Sequence, residues 1–175
     1  MKAVLISIQP KWCELIASGK KTVEVRKTKP KIETPFKCYI YCTQGKGITD
    51  NFRIQNNDLG NIKVIGEFVC DRIQEITYTQ IYNFGRYKDV CEAETRLDFY
   101  ALDDYLKQKN GYSWHISNLV IYDKPKELSE FKPYNRTEDD CKFSNLGYAI
   151  PKCEDCHECY VKRPPQSWCY VEELR

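Results

Sequence analysis

The sequence predicts an α+β protein built on a small β-barrel or curled sheet of about five to six strands, with short flanking helices. Three observations carry that expectation. Several segments alternate or run apolar at strand length, and two others repeat at helical spacing. The two kinds do not follow each other in the regular order of a parallel α/β fold. With 175 residues the chain is expected to form one domain, residues 1–175, and to bury roughly 70% of the surface its unfolded form exposes.

Val4 to Ile8 reads as the first strand, and Pro10 suits the first position of a helix, where its missing N–H would be unpaired anyway. Trp12, Leu15 and Ile16 recur at i, i+3 and i+4, and Gly19 supplies a left-handed end. Lys21 to Lys27 then alternates, with Val23 and Val25 on one side and Thr22, Glu24 and Arg26 on the other. Phe36 to Cys42 is a β-branched and aromatic strand, and Ile62 to Ile73 reads as one long strand with Gly66 placed for a bulge. Residues 78–96 fit neither period. Asp98 to Lys109 has helical spacing and ends at Asn110-Gly111. Trp114 to Tyr122 reads as a strand closed by Lys124-Pro125, and Ser167 to Leu174 as the last, entered through Pro164-Pro165. Between them, residues 134–162 are polar, turn-rich and cysteine-bearing, which predicts an insertion between two barrel strands.

A composition of 42% hydrophobic and 30% charged residues, with 8 Pro and 8 Gly, excludes a disordered chain. No run approaches the ~20 apolar residues of a membrane-spanning helix. The opening MKAVLISIQPKW is too short for a secretory signal and has no small-residue cleavage site. Ten cysteines without such a signal are expected as thiols or metal ligands, which predicts a cytoplasmic protein. The net charge is only +2, yet residues 1–46 carry ten Lys/Arg against three Glu, and residues 67–106 carry nine acids against four bases. Such polarisation offers a basic face to an anion; the plainer reading is a set of solvated lysines.

Ser7-Ile8-Gln9-Pro10-Lys11-Trp12, followed by Ile16-Ala17-Ser18-Gly19-Lys20-Lys21-Thr22-Val23-Glu24-Val25-Arg26, resembles the opening motif of ASCH domains in the PUA-like superfamily. The core of that motif is Gly-x-Lys-x-x-Glu-x-Arg, and Gly19, Lys21, Glu24 and Arg26 fall on all four positions. Gly111 to Ser117, Ile121 to Pro125 and Arg163 to Val171 also resemble the bacterial and prophage-borne branch of the family. The resemblance implies a small PUA-like β-barrel with a cleft beside the first helix. It also implies action on RNA or modified nucleosides, as a binding module or a small enzyme. Some members are amidohydrolases of acylated cytidine that use a Lys, a Thr three residues later and a distant Glu. Here Lys21 matches, but Glu24 stands where that Thr would be.

The chemistry of the motif suits a nucleotide. Glu24 and Arg26 lie two apart on one strand, so their side chains share a face. Arg presents a planar fork of donors to phosphate or a base edge, Lys a compact charge, and a carboxylate between them stays ionised. The plainer reading is a charge pair worth ~0.2–1 kcal/mol and no more. The expected ligand-binding residues are Ser7, Trp12, Lys21, Glu24, Arg26, Trp114, His115 and Trp168, with Trp114 as a stacking platform beside His115. In an enzyme, Lys21, Glu24 and His115 would be the catalytic groups. The plainer reading makes His115 a structural residue and the tryptophans core.

Cys153, Cys156 and Cys159 form a C-x2-C-x2-C run, and Cys141 lies twelve positions before it. Together they predict a closed structural zinc site, with His157 as a substitute ligand. An iron–sulfur cluster and a mobile loop of free thiols are the alternatives. Cys13, Cys38, Cys42, Cys70, Cys91 and Cys169 read as small core residues.

The function expected is an RNA- or nucleotide/modified-nucleoside-binding module. The alternatives are a small hydrolase in the same cleft, acting on RNA or on an acylated nucleoside, and a protein-interaction module of a mobile element.

Overall fold

The structure is a computed structural model that describes residues 1–44, 62–81, 84–134 and 160–174. In chain order the elements are β1 (Lys2–Ile8), α1 (Pro10–Ala17), β2 (Val23–Arg26), β3 (Phe36–Cys42), β4 (Lys63–Cys70), β5 (Ile73–Ile81), β6 (Phe84–Lys88), α2 (Glu92–Thr95), α3 (Phe99–Leu106), β7 (Gly111–His115), β8 (Ser117–Lys126) and β9 (Trp168–Glu172). The strands form a five-stranded sheet, β8-β4-β3-β1-β9, and a four-stranded sheet, β2-β7-β5-β6.

These are mixed sheets with few helices, and they correct the expected five to six strands. Among the described residues neither sheet closes on itself as a barrel. The extra strands come from breaks that periodicity does not register. The long strand expected over 62–73 stops at Cys70, and β5 begins after two residues. The strand expected over 114–122 divides at Ile116 into β7 and β8, and β6 and α2 occupy the stretch that fits neither period. At Ile116 an apolar residue carries the strand pattern through the break, and at Asp71-Arg72 only two residues interrupt an otherwise β-branched and aromatic run, too short a gap for periodicity to show.

The chain divides into two compact units, Met1–Pro10 with Lys37–Glu67 and Ile121–Arg175, and Lys11–Phe36 with Phe68–Val120. In the first, β1 runs parallel to β3 and antiparallel to β9. Ala3, Val4, Leu5 and Ile6 are all fully buried, which is why β1 is a continuous apolar run rather than an alternation. Tyr39 and Phe131 pack edge to face in its core with ring centroids 4.9 Å apart. The C-terminal segment is tied in by the Leu174 amide, which donates to the Tyr39 hydroxyl at 2.8 Å.

Helix α1 starts at Pro10 and continues into the second unit, and Gly19 follows it in the left-handed region at φ +70°. The helix expected over 98–109 runs from 99 to 106: the Asp98 carboxylate caps it, accepting from the Ala101 amide at 2.8 Å, and left-handed Lys107 at φ 57° ends it before Asn110-Gly111. Val25, Ile76, Leu97, Leu102 and Leu106 form its apolar core.

Four of the six remaining cysteines, Cys13, Cys38, Cys42 and Cys70, are buried, and Cys169 is half-buried. Burial pushes the Cys70 thiol up to about 12 and that of Cys169 up to about 11. Cys91 corrects the expectation: it is exposed, because it precedes α2 outside the core. The four expected zinc ligands, Cys141, Cys153, Cys156 and Cys159, lie outside the described residues, as does His157.

Candidate functional site

All four residues of β2 are buried, both apolar and charged: Val23 5%, Glu24 6%, Val25 3% and Arg26 8% exposed. Lys21, just before the strand, is 2% exposed. The three charges pair with one another. Glu24 takes the Lys21 ammonium at 3.4 Å on one carboxylate oxygen and the Arg26 guanidinium at 3.1 Å on the other. Lys21 Nζ also donates to the Thr95 carbonyl at 2.6 Å. Burial pulls the Lys21 ammonium below its ordinary value; Glu24 opposes that shift and Arg26 adds to it. A carboxylate between two cations is the arrangement that lets three charges leave water together.

The sheet register decides which expected site residues meet. β2 pairs antiparallel with β7, Glu24 opposite Trp114, Arg26 opposite Tyr112, Val25 opposite Ser113 and Val23 opposite His115. Residues directly opposite lie on one face, so Glu24 and Arg26 share theirs with Trp114 and Tyr112. His115 stands on the other face, with Val23. Trp114 is fully buried and packs edge-on against Phe36, centroids 5.9 Å apart, so its ring has no exposed face.

His115 is held instead by Asp71, Nδ1 to Oδ1 at 2.6 Å, and this bond to the imidazole holds the Asp71 carboxyl below the usual carboxylate range. It lines a cavity of about 210 Å³ with residues of β5, β7 and the segment from Asp89 to Thr95. Ser7 and Trp168 belong to the first unit. There the Ser7 hydroxyl donates to the Pro165 carbonyl at 2.6 Å, and Trp168 packs edge-on against Tyr170.

Around the motif strand the second unit carries lysines over aromatic rings. Lys11 lies 4.4 Å and Lys21 5.2 Å from the centre of the half-buried Trp12 ring. Lys27 sits over Tyr105 at 5.1 Å and Lys29 over Tyr112 at 5.3 Å. Tyr105 also hydrogen-bonds Arg26, although burial is the larger influence and raises its hydroxyl above the ordinary value. Sequence reasoning does not single out Tyr105 or Tyr112. Tyr112 could be found through its place in the Gly111-Tyr112-Ser113-Trp114 segment; the Thr95 carbonyl, a backbone acceptor, leaves no trace in the sequence.

Residues 6–126 match the ASCH domain family, well over half of the chain. The chain belongs to the ASCH domain family. Solved structures of an ASCH protein from Zymomonas mobilis share the fold over nearly the whole length. A tyrosine-to-phenylalanine variant is 20% identical, covering 99% of this chain and 92% of that one, with a TM-score of 0.56. The unsubstituted ASCH protein is 19% identical, covering 98% and 88%, with the same TM-score of 0.56. No curated protein sequence matches this ASCH chain. ASCH domains are in general RNA-binding or hydrolase-like modules. Among the described residues no helix is long and apolar enough to cross a membrane.

Proposed function

We propose that this ASCH chain is an RNA- or nucleotide-binding module whose contact surface surrounds β2. The reading rests on the lysines laid over rings beside that strand: Lys11 on Trp12, Lys27 on Tyr105 and Lys29 on Tyr112. Each pair sets a mobile cation on an aromatic face, so an incoming strand can take the cation onto a phosphate and place a base on the ring. Lys21, Glu24 and Arg26 form the floor beneath this surface. Their burial makes them a fixed frame that orients Arg26 towards Tyr105, rather than a set of mobile contacts.

The test is binding of labelled single-stranded RNA over a salt series, with the same samples run on denaturing gels. Affinity is expected to fall with salt. Lys27→Ala with Lys29→Ala should weaken binding and flatten the log–log salt slope by about 1.4, because each single-strand phosphate that a lysine neutralises contributes ~0.7. An absence of binding at low salt, or an unchanged slope, would overturn the reading. A small hydrolase in the same cleft is favoured by one observation, the Lys21 amine shifted by burial towards the neutral form a general base needs. Shortened RNA, abolished by Lys21→Ala while folding is preserved, would select it.

A further inference from the structure

The cavity beside His115 lies on the Val23 face of the four-stranded sheet, away from Glu24 and Arg26. At about 210 Å³ it is smaller than the pockets that hold drug-sized ligands. Its lining brings both signs of charge to one small space. Arg72 and His115 come from the β4–β5 connection and β7; Asp89 directly follows β6 and Glu94 lies in α2. Val23 and Val90 supply apolar wall between them. Among the described residues Arg72, Asp89 and Glu94 form no ion pair, with each other or with any other side chain.

The cavity is also held in shape. The Thr22 amide donates to the Glu94 carbonyl at 3.0 Å and Lys21 Nζ to the Thr95 carbonyl at 2.6 Å, so both last residues of α2 are pinned to the segment just before β2. Asp71, beside Arg72 in the β4–β5 connection, fixes the orientation of the His115 ring. A preformed pocket loses less affinity to ordering its own side chains when a ligand enters.

We propose that this cavity binds a small zwitterion of the free amino acid type. Its carboxylate would lie on the Arg72 guanidinium beside the His115 ring, its ammonium on the Asp89 and Glu94 carboxylates. The valines would receive a short apolar side chain. A guest with one charge alone meets attraction from one set of groups and repulsion from the other, whereas a zwitterion matches both. The site is separate from the RNA-binding surface and does not depend on that reading.

The test follows the His115 ring by two-dimensional proton–carbon NMR while L-alanine is added to the purified chain. The sequence has only two histidines, so a His115→Gln variant assigns the peak. L-alanine is expected to move it saturably. N-acetyl-L-alanine, which lacks the ammonium, and L-alaninamide, which lacks the carboxylate, should each bind about tenfold more weakly or worse, as should L-alanine to Arg72→Ala or Glu94→Gln. These two side chains are exposed, so the fold should survive their replacement, which an unchanged thermal midpoint checks. No saturable shift with L-alanine, equal binding of the two derivatives, or a guanosine or uridine titration that moves the peak at lower concentration would each overturn the proposal.

Discussion

The two compact units each hold a lysine–glutamate network, and the two networks sit in different solvents. In the first unit Lys37 reaches Glu67 at 2.9 Å and Glu173 at 3.4 Å, and the Tyr122 hydroxyl donates to Glu67 at 2.5 Å. The Lys37, Glu67 and Glu173 side chains are 22–27% exposed. In the second, the side chains of Lys21, Glu24 and Arg26 are only 2%, 8% and 9% exposed. The geometry is similar and the physics differs. Water still screens the first network, which ties the C-terminal segment to β3 and β4. The second has exchanged water for itself and for a backbone carbonyl, so each member depends on the others.

The comparison breaks first at Glu24. Glu24→Ala leaves two buried cations facing each other and should cost about 3–5 kcal/mol, read as a drop in denaturant unfolding free energy. A drop below about 1 kcal/mol would mean that water reaches the motif and the two networks are alike.

Lys21→Met should cost less, about 1–3 kcal/mol, for an orphaned Thr95 carbonyl and a half-neutralised Glu24. It also carries a sign. Because burial lowers the Lys21 pKa in the fold, the unfolded chain holds the proton more tightly between that lowered value and the ordinary 10.5. Stability of the parent relative to Lys21→Met should therefore rise with pH through that window. Thermal midpoints of the two proteins at stepped alkaline pH check it, and a gap that narrows would contradict the burial assigned to Lys21.

Glu67→Gln tests the wetter network and should cost about 1–2 kcal/mol at neutral pH. Burial pushes the Glu67 carboxyl up, but hydrogen bonds from Tyr122 and Lys37 outweigh it and hold the group below 4.5. Its stabilisation is complete above that value and is lost as pH falls through the lowered one. Midpoints measured from about pH 6 to about pH 3, a range that brackets the ordinary carboxylate value, should thus converge for parent and variant at the acid end. The smallest effect is expected outside both networks: Asp98→Ala removes the cap of α3 and should cost about 1 kcal/mol, with no dependence on RNA or alkaline pH.

How much of this is legible in the sequence depends on whether the deciding interaction is local. β3 can be read with its true ends, Phe36 and Cys42, because a β-branched and aromatic run is bounded by Pro35 and a polar loop. The ends of α1 follow from Pro10 and Gly19 for the same reason. The motif residues are also legible, as is the shared face of Glu24 and Arg26. Their burial is not, and neither is the separation of His115 from them. Adjacent positions in the chain suggest that Trp114 and His115 act together; the strand pleat sends them to opposite faces.

The sequence by itself determined the family, most of the local elements, and the charged alternation of β2. These depend on residue type and on spacings of two to four positions, which the chain carries wherever it folds. Only the tertiary structure decided that β2 is buried throughout, that Lys21 rests on the Thr95 carbonyl, and that a mixed-charge cavity opens on the face behind the motif. Those outcomes depend on which distant strand pairs in which register and on what packs over it. Residue spacing along the chain does not encode either.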